Sequence, residues 1–111
     1  YNEVFFELPT IISAETNSRV RDAILLQFSF PMQDPSSYLS EFTLTVNSST
    51  ATITSVALDT DITYFIITPE TPIAYGDIVT LSITTGIIMN IWSSKLAAVT
   101  NQSVTNNVPA P

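Results

Sequence analysis

Carboxylates are the most plentiful charged groups in this sequence, ten aspartates and glutamates against three lysines and arginines. Glycoside hydrolysis needs two of them facing each other across a cleft, about 5 to 10 Å apart. Asp59 and Asp61 are near neighbours at the end of an apolar run, a spacing that suits a solvated turn. With Asp34 they offer oxygen ligands for calcium, but no DxDxDG spacing accompanies them, and solvated loops are the expectation. Serine is abundant, and Ser93 and Ser94 precede Lys95. A Ser-Lys dyad requires the serine three residues before the lysine, where this chain has Trp92, so nucleophile activation lacks a base. The 111 residues include no histidine and no cysteine. That removes disulfides, thiolate and imidazole metal ligands, cysteine nucleophiles and histidine triads together. The expectation is a protein that is not an enzyme and uses no cofactor.

A net charge of −7 repels phosphate backbones and anionic lipid heads, which argues against nucleic-acid and membrane-surface partners. No apolar run approaches the roughly 20 residues that span a bilayer, so membrane insertion is not expected. Hydrophobic residues make 45 % of the chain and charged ones 12 %, enough apolar material to offset the ordering entropy of one folded unit. The opening residues and the closing NNVPAP read as a piece of a longer, secreted polypeptide. Residues 1–111 are then one module, with 1–9 a linker or edge strand and 109–111 a C-terminal linker. Asn47-Ser48-Ser49 and Asn101-Gln102-Ser103 match the glycosylation acceptor pattern.

Those side chains are carried on segments of period two, and no stretch keeps apolar residues at helical spacing for three turns. Glu3 to Leu8 and Thr10 to Thr16 flank Pro9 and suggest an edge strand broken by proline. Ala23 to Phe30 places Ile24, Leu26, Phe28 and Phe30 on one face. Asp34 before Pro35 caps a short helical turn running to Glu41. FTLTV turns Phe42, Leu44 and Val46 inward, and ATITSVAL is a looser strand ending at Asp59 and Asp61. Phe65 and Ile67 face one way, Ile62, Tyr64 and Ile66 the other. Val79, Leu81 and Ile83 follow a Pro- and Gly-containing turn, and NQSVTNNV is the last strand. Seven or eight short strands joined by turns predict an all-β, Ig-like Greek-key sandwich of about seven strands. Its core is expected to hold Ile24, Leu26, Phe28, Phe42, Leu44, Phe65, Ile67, Val79 and Leu81.

In order along the chain, AILLQFSFPMQDPSS, FTLTV, AYGDIVTLSITTG and KLAAVTNQSVTNNVP resemble the opening and closing motifs of bacterial surface Ig-like repeats of the SwmB and SbsA type. The likeness covers roughly Thr10 to Pro109, and the closing motif is its more specific part. It implies a non-catalytic accessory or spacer module, secreted or at the cell surface, strung along an adhesin, an S-layer protein or a polysaccharide-degrading enzyme. It brings no catalytic residues. Two departures replace polar groups by apolar ones: MNIWSS stands where the family has a polar, glycine-containing turn, and Phe30 where it has lysine.

GIIMNIWSSKL, Gly86 to Leu96, therefore has three readings. Ile87 or Ile88 and Ile91 close the bottom of the sandwich with Trp92 as a lid, as lone tryptophans in small β domains usually do. Otherwise Met89 and Trp92 are exposed and meet either a neighbouring domain of the parent chain or a sugar ring. A second candidate surface joins Leu25 to Ile62, Tyr64 and Ile66 on neighbouring strands. Phe5 and Phe6 from the N-terminal segment fold over it, or a neighbouring domain docks there, or it serves as a carbohydrate platform. A carbohydrate-binding module would use Trp92 with Tyr38, Tyr64 or Tyr75, making polysaccharide the alternative partner.

Overall fold

The computed structural model describes residues 9–17, 20–84, 88–96 and 98–108. Eight strands are named among them: β1 (Ile11–Asn17), β2 (Val20–Phe28), β3 (Phe42–Val46), β4 (Ser49–Ala51), β5 (Ile53–Leu58), β6 (Tyr64–Pro69), β7 (Val79–Ile83) and β8 (Val99–Val104). They form two four-stranded antiparallel sheets, ordered β1-β2-β6-β5 and β4-β3-β7-β8. This is the Ig-like Greek-key sandwich that the alternation predicts, with the short β4 as an eighth strand.

Alternation sets which side chains meet. Strand β6 buries Phe65, Ile67 and Pro69 and leaves Tyr64, Ile66 and Thr68 half-covered on its other face. Strand β7 does the same with Val79, Leu81 and Ile83. All nine residues expected in the core are buried, joined by Met32, Val56, Ile73, Ile88, Leu96 and Val104 among others. Three rings bridge the sheets. Phe65 of β6 stands edge-on to Phe28 of β2 at 4.6 Å between centroids and to Phe42 of β3 at 6.2 Å. Edge-to-face contact suits the ring quadrupoles and adds to burial worth about 1.5 to 3 kcal/mol per side chain.

Four local expectations change. ATITSVAL is not one strand: Ala51 ends β4 in one sheet and Ile53 begins β5 in the other, so Thr52 is where the chain crosses between layers. Strand β2 ends at Phe28, which leaves Phe30 half-buried in the following connection rather than in the core row. Asp34 does not cap the helical turn at Leu39–Glu41. Its Oδ1 accepts from the Ser36 amide at 2.9 Å, and the turn's N-cap, Tyr38, makes no side-chain bond. The last strand also starts and stops earlier than NQSVTNNV: beyond it Asn106 bonds the β6–β7 turn, Asn107 bonds Thr16 of β1, and Val108 N donates to Asn106 Oδ1. The stretch Glu3 to Leu8 lies outside the described residues.

Register fixes the two ends of the sandwich. Ile11 pairs with Phe28, Gln27 with Tyr64, Phe42 with Ile83 and Ile83 with Val99. Hence the chain entry at Thr10, the β2–β3 connection, the β5–β6 turn and the β7–β8 connection share one end. Val46 pairs with Ser49 and Val79 with Val104. The β3–β4 and β6–β7 turns and the chain exit after Thr105 therefore share the other.

Asn47 and Ser48 form the two-residue β3–β4 link, with φ of 52° and 69°. Two left-handed residues give a type I′ hairpin turn, whose preferred pair is Asn-Gly because a Cβ is unfavourable there. Ser48→Gly is expected to raise stability by about 0.5 to 1 kcal/mol, read as a higher urea midpoint; a lower midpoint would contradict the turn assignment.

Candidate functional site

Within the Gly86 to Leu96 stretch, the described residues 88–96 form a hairpin with its base in the core and its tip exposed. Ile88 and Leu96 are buried, and the Leu96 amide bonds the Ile88 carbonyl at 2.8 Å. Met89 bridges Lys95. Beyond that rung, the Ser93 amide donates to the Asn90 carbonyl, the Asn90 amide to the Ser94 carbonyl, and Ser93 takes φ 64°. This is a three-residue hairpin loop, a turn followed by one left-handed residue. Asn90, only 1 % exposed, holds it from inside: its Oδ1 accepts from the Trp92 amide at 3.0 Å and the Ser94 amide at 2.9 Å. A buried side-chain oxygen with two amide partners mimics a backbone turn and fixes the tip.

What the tip presents is apolar. Trp92 is 57 % exposed and Ile91 46 %, while Met89 is half-buried. The expectation of Ile91 and Trp92 closing the core is therefore corrected: Ile88 alone of that set fills the interior, and Ile87 lies outside the described residues. Opposite stands the β2–β3 connection. Ile91 N donates to the Pro31 carbonyl, Gln33 N to the Met89 carbonyl and Gln33 Nε2 to the Asn90 carbonyl. This lacing sets the Phe30 ring edge-on against Trp92, 6.1 Å between centroids and 83° between planes. The two departures from the resembled family are thus in contact and form one feature. Sequence pattern flagged each residue, but their pairing depends on bonds between distant segments.

The second candidate surface is arranged differently from its expectation. Leu25 pairs with Ile66 and Gln27 with Tyr64 across β2 and β6. Leu25 is buried, however, and Tyr64 and Ile66 are half-buried, so no broad apolar face is open there. Ile62 is not on that face at all. It lies in the β5–β6 turn at the entry end, its carbonyl accepting from Met32 N at 2.8 Å. Phe5 and Phe6 lie outside the described residues. Tyr75 sits on the β6–β7 turn at the exit end, across the molecule from Trp92. Of the tyrosines considered with Trp92 for a sugar platform, Tyr75 is thus at the opposite pole, whereas the exposed Tyr38 lies in the β2–β3 connection at the same end and the half-buried Tyr64 begins β6 there.

The carboxylates serve their own loops. Asp59 Oδ1 accepts from the Thr60 amide, and Asp61 Oδ1 from the Thr63 amide and hydroxyl at 3.1 and 2.7 Å. Among the described residues, no group of three or more acidic side chains could hold a metal ion. At the exit end, Asp77 accepts from the Ala74 amide at 2.8 Å and Asn47 Nδ2 at 2.9 Å. These bonds favour the ionised form and hold its carboxyl below the ordinary value of 3.8, the Ala74 bond contributing most. A groove of about 330 Å³ beside it, between β4 and the β6–β7 turn, is lined by Val46, Thr50, Glu70, Pro72, Ile73 and Asp77. Asp77 is already committed to the turn.

No family model matches this chain, and no curated protein matches it. Solved structures do. The crystal structure of the S-layer protein rSbsC(31-844) aligns over 95 % of this chain with a TM-score of 0.77 at 15 % identity. The N-terminal part of the bacterial S-layer protein SbsC aligns over the same share with a TM-score of 0.76, and SbsC domains 1-6 with 0.75, each at 15 % identity. This chain spans 14 %, 25 % and 14 % of those chains in turn. The likeness is one of fold, a sandwich that in those proteins occupies a fraction of a longer polypeptide.

Trp92 is expected to emit at a red-shifted wavelength and to be quenched by iodide. Trp92→Ala should cost no more than about 1.5 kcal/mol, the worth of an aromatic pair. A blue-shifted, unquenchable emission would restore the lid reading.

Proposed function

We propose that this chain is a non-catalytic Ig-like spacer module of a bacterial secreted or cell-surface protein, of the SwmB and SbsA type. It holds neighbouring domains of the parent chain at a set distance and angle. The observation that carries this reading is the anchoring of the chain at opposite ends. On entry, Thr10 N donates to Ser29 Oγ and Ser29 N to the Thr10 carbonyl, both at 2.9 Å. On exit, Asn106 Nδ2 donates to the Ala74 and Asp77 carbonyls, and Asn107 bonds Thr16 and Glu15. A chain clamped at both poles transmits the orientation of one neighbour to the next. The fold shared with parts of bacterial S-layer proteins supports the setting.

Within this reading Trp92, Ile91 and Phe30 form the entry-end face for the preceding domain, beside the point where the chain arrives. Met89, half-buried below the tip, belongs to that face, whereas Leu25, Tyr64 and Ile66 stiffen the outer side of a sheet. Carbohydrate binding is the second reading, through the exposed Trp92. The edge-on Phe30 weakens it, because sugar rings stack on coplanar faces. Affinity electrophoresis over a polysaccharide panel should show no retardation, and an antibody against the module should label intact source cells. Retardation abolished by Trp92→Ala would favour the carbohydrate reading, and labelling only after permeabilisation would remove the surface assignment.

A further inference from the structure

The two poles of the sandwich carry opposite shapes. At the entry pole the Trp92 hairpin projects from the core: Ile88 and Leu96 at its base are buried, while Ile91 and Trp92 at its tip are exposed. Asn90 and the bond from Ser93 hold that tip in one conformation, so covering it costs little ordering entropy. The Trp92 indole N–H has no hydrogen-bond partner among the described residues. Lys95, exposed on the rung below the tip, has no ion-pair partner among them either.

At the exit pole the surface is hollow. The groove of about 330 Å³ takes Val46 and Ala51 from the β3–β4 side and Pro72 and the buried Ile73 from the β6–β7 turn. That volume lies at the low end of the roughly 300 to 1,000 Å³ of binding pockets, room for one large side chain. Glu70 lines the groove, and its carboxylate has no partner among the described residues. On the same turn Tyr75 is 62 % exposed and Ile78 73 %, an apolar rim beside the opening.

Tip and groove match in chemistry as well as in shape. An indole offers an apolar body with one donor, and the groove offers apolar walls with a free acceptor in Glu70. Lys95 meets the charges of Glu70 and Asp77. Two Trp92 faces meeting symmetrically would instead set Lys95 against Lys95 and leave both grooves empty. We infer that the Trp92 hairpin of one copy of this chain seats in the exit-pole groove of a second copy, with Lys95 set against the acids of that groove. Because the two surfaces lie at opposite poles, the contact is heterologous and does not close, so copies add head to tail in a row. The inference rests on the spacer reading, in which the Trp92 face meets the preceding module, and it names what that module presents: the exit pole of a sandwich like this one. The net charge of −7 on each copy opposes approach, but at 0.15 M salt that field decays over about 8 Å, while the opposite charges lie at the contact itself.

The test is sedimentation equilibrium of the full chain in 0.15 M salt. The weight-average mass should rise past that of a dimer, without a plateau, as concentration approaches about 1 mM, the effective value that a short linker imposes on tethered modules. Trp92 emission, red-shifted in dilute solution, should move to the blue over the same range. Trp92→Ala and Glu70→Lys should each weaken association at least about tenfold, as loss of a central anchor does. Adding Lys95→Glu to Glu70→Lys should recover affinity. Glu70→Lys, at an exposed side chain, serves if Trp92→Ala does not fold. Complementation is the decisive readout: Trp92→Ala keeps the groove and Glu70→Lys keeps the tip, so an equimolar mixture should form pairs and nothing longer. A mass that stays at the monomer, one that stops at the dimer, or variants that do not pair when mixed would overturn the contact. A monomeric chain whose antibody labels intact cells sinks this inference alone and leaves the spacer reading in place. Head-to-tail association in a protein without surface labelling leaves the contact standing and removes only the setting.

Discussion

Everything in this molecule depends on keeping water out of one slab between two sheets. Phe65, fully buried, touches Phe28 in its own sheet and Phe42 in the opposite one, while Leu26, Leu44, Ile67 and Leu81 are likewise 0 % exposed. Disulfides cannot share the task in a chain without cysteine. Because period-two strands offer one row of side chains to that slab, register is set strongly, as a slip by one residue would turn each row to solvent. Fixed register in turn fixes which loops share a pole. Pole composition is the level at which function enters.

At the poles, polar side chains are spent on the backbone. Asn90 organises the Trp92 hairpin, Asn47 and Asp77 bind the β3–β4 link to the β6–β7 turn, and Asn106 and Asn107 moor the exit. Short amides and carboxylates suit this work because they reproduce backbone hydrogen bonds at close range. Asp59 and Asp61 act in the same way within their turn. The acids and amides that first invite a search for chemistry are thus turn builders, while the group left facing outward at the entry pole is an aromatic pair.

How much of this was legible follows from the range of each interaction. Strands such as FTLTV and DIVTLSI could be read because burial alternates along them: the nine side chains expected in the core are buried, while Val46, also read as inward, is half-buried against it at the end of β3. ATITSVAL misled because a strand that changes sheet at Thr52 keeps its β-forming composition through the crossing. Trp92 was expected as a lid because a large apolar ring gains most by burial. The buried Asn90 overrides that preference locally, and Phe30 then shields one edge of the ring. An asparagine followed by two apolar residues and two serines carries a signal for such a turn. The junction of β1 with Thr105 and Asn107 had no local signal, for it joins the two extremes of the fold, although the closing TNNV motif contains its residues.

The slab is the central claim, and Phe65 tests it most directly because its ring spans both layers. In equilibrium urea unfolding, Phe65→Ala should lower stability by about 3 to 5 kcal/mol or abolish cooperative folding, whereas Tyr75→Ala at the exposed exit turn should stay within about 0.5 kcal/mol. A loss below about 1 kcal/mol for Phe65→Ala would mean that the two sheets do not close on a shared dry interior.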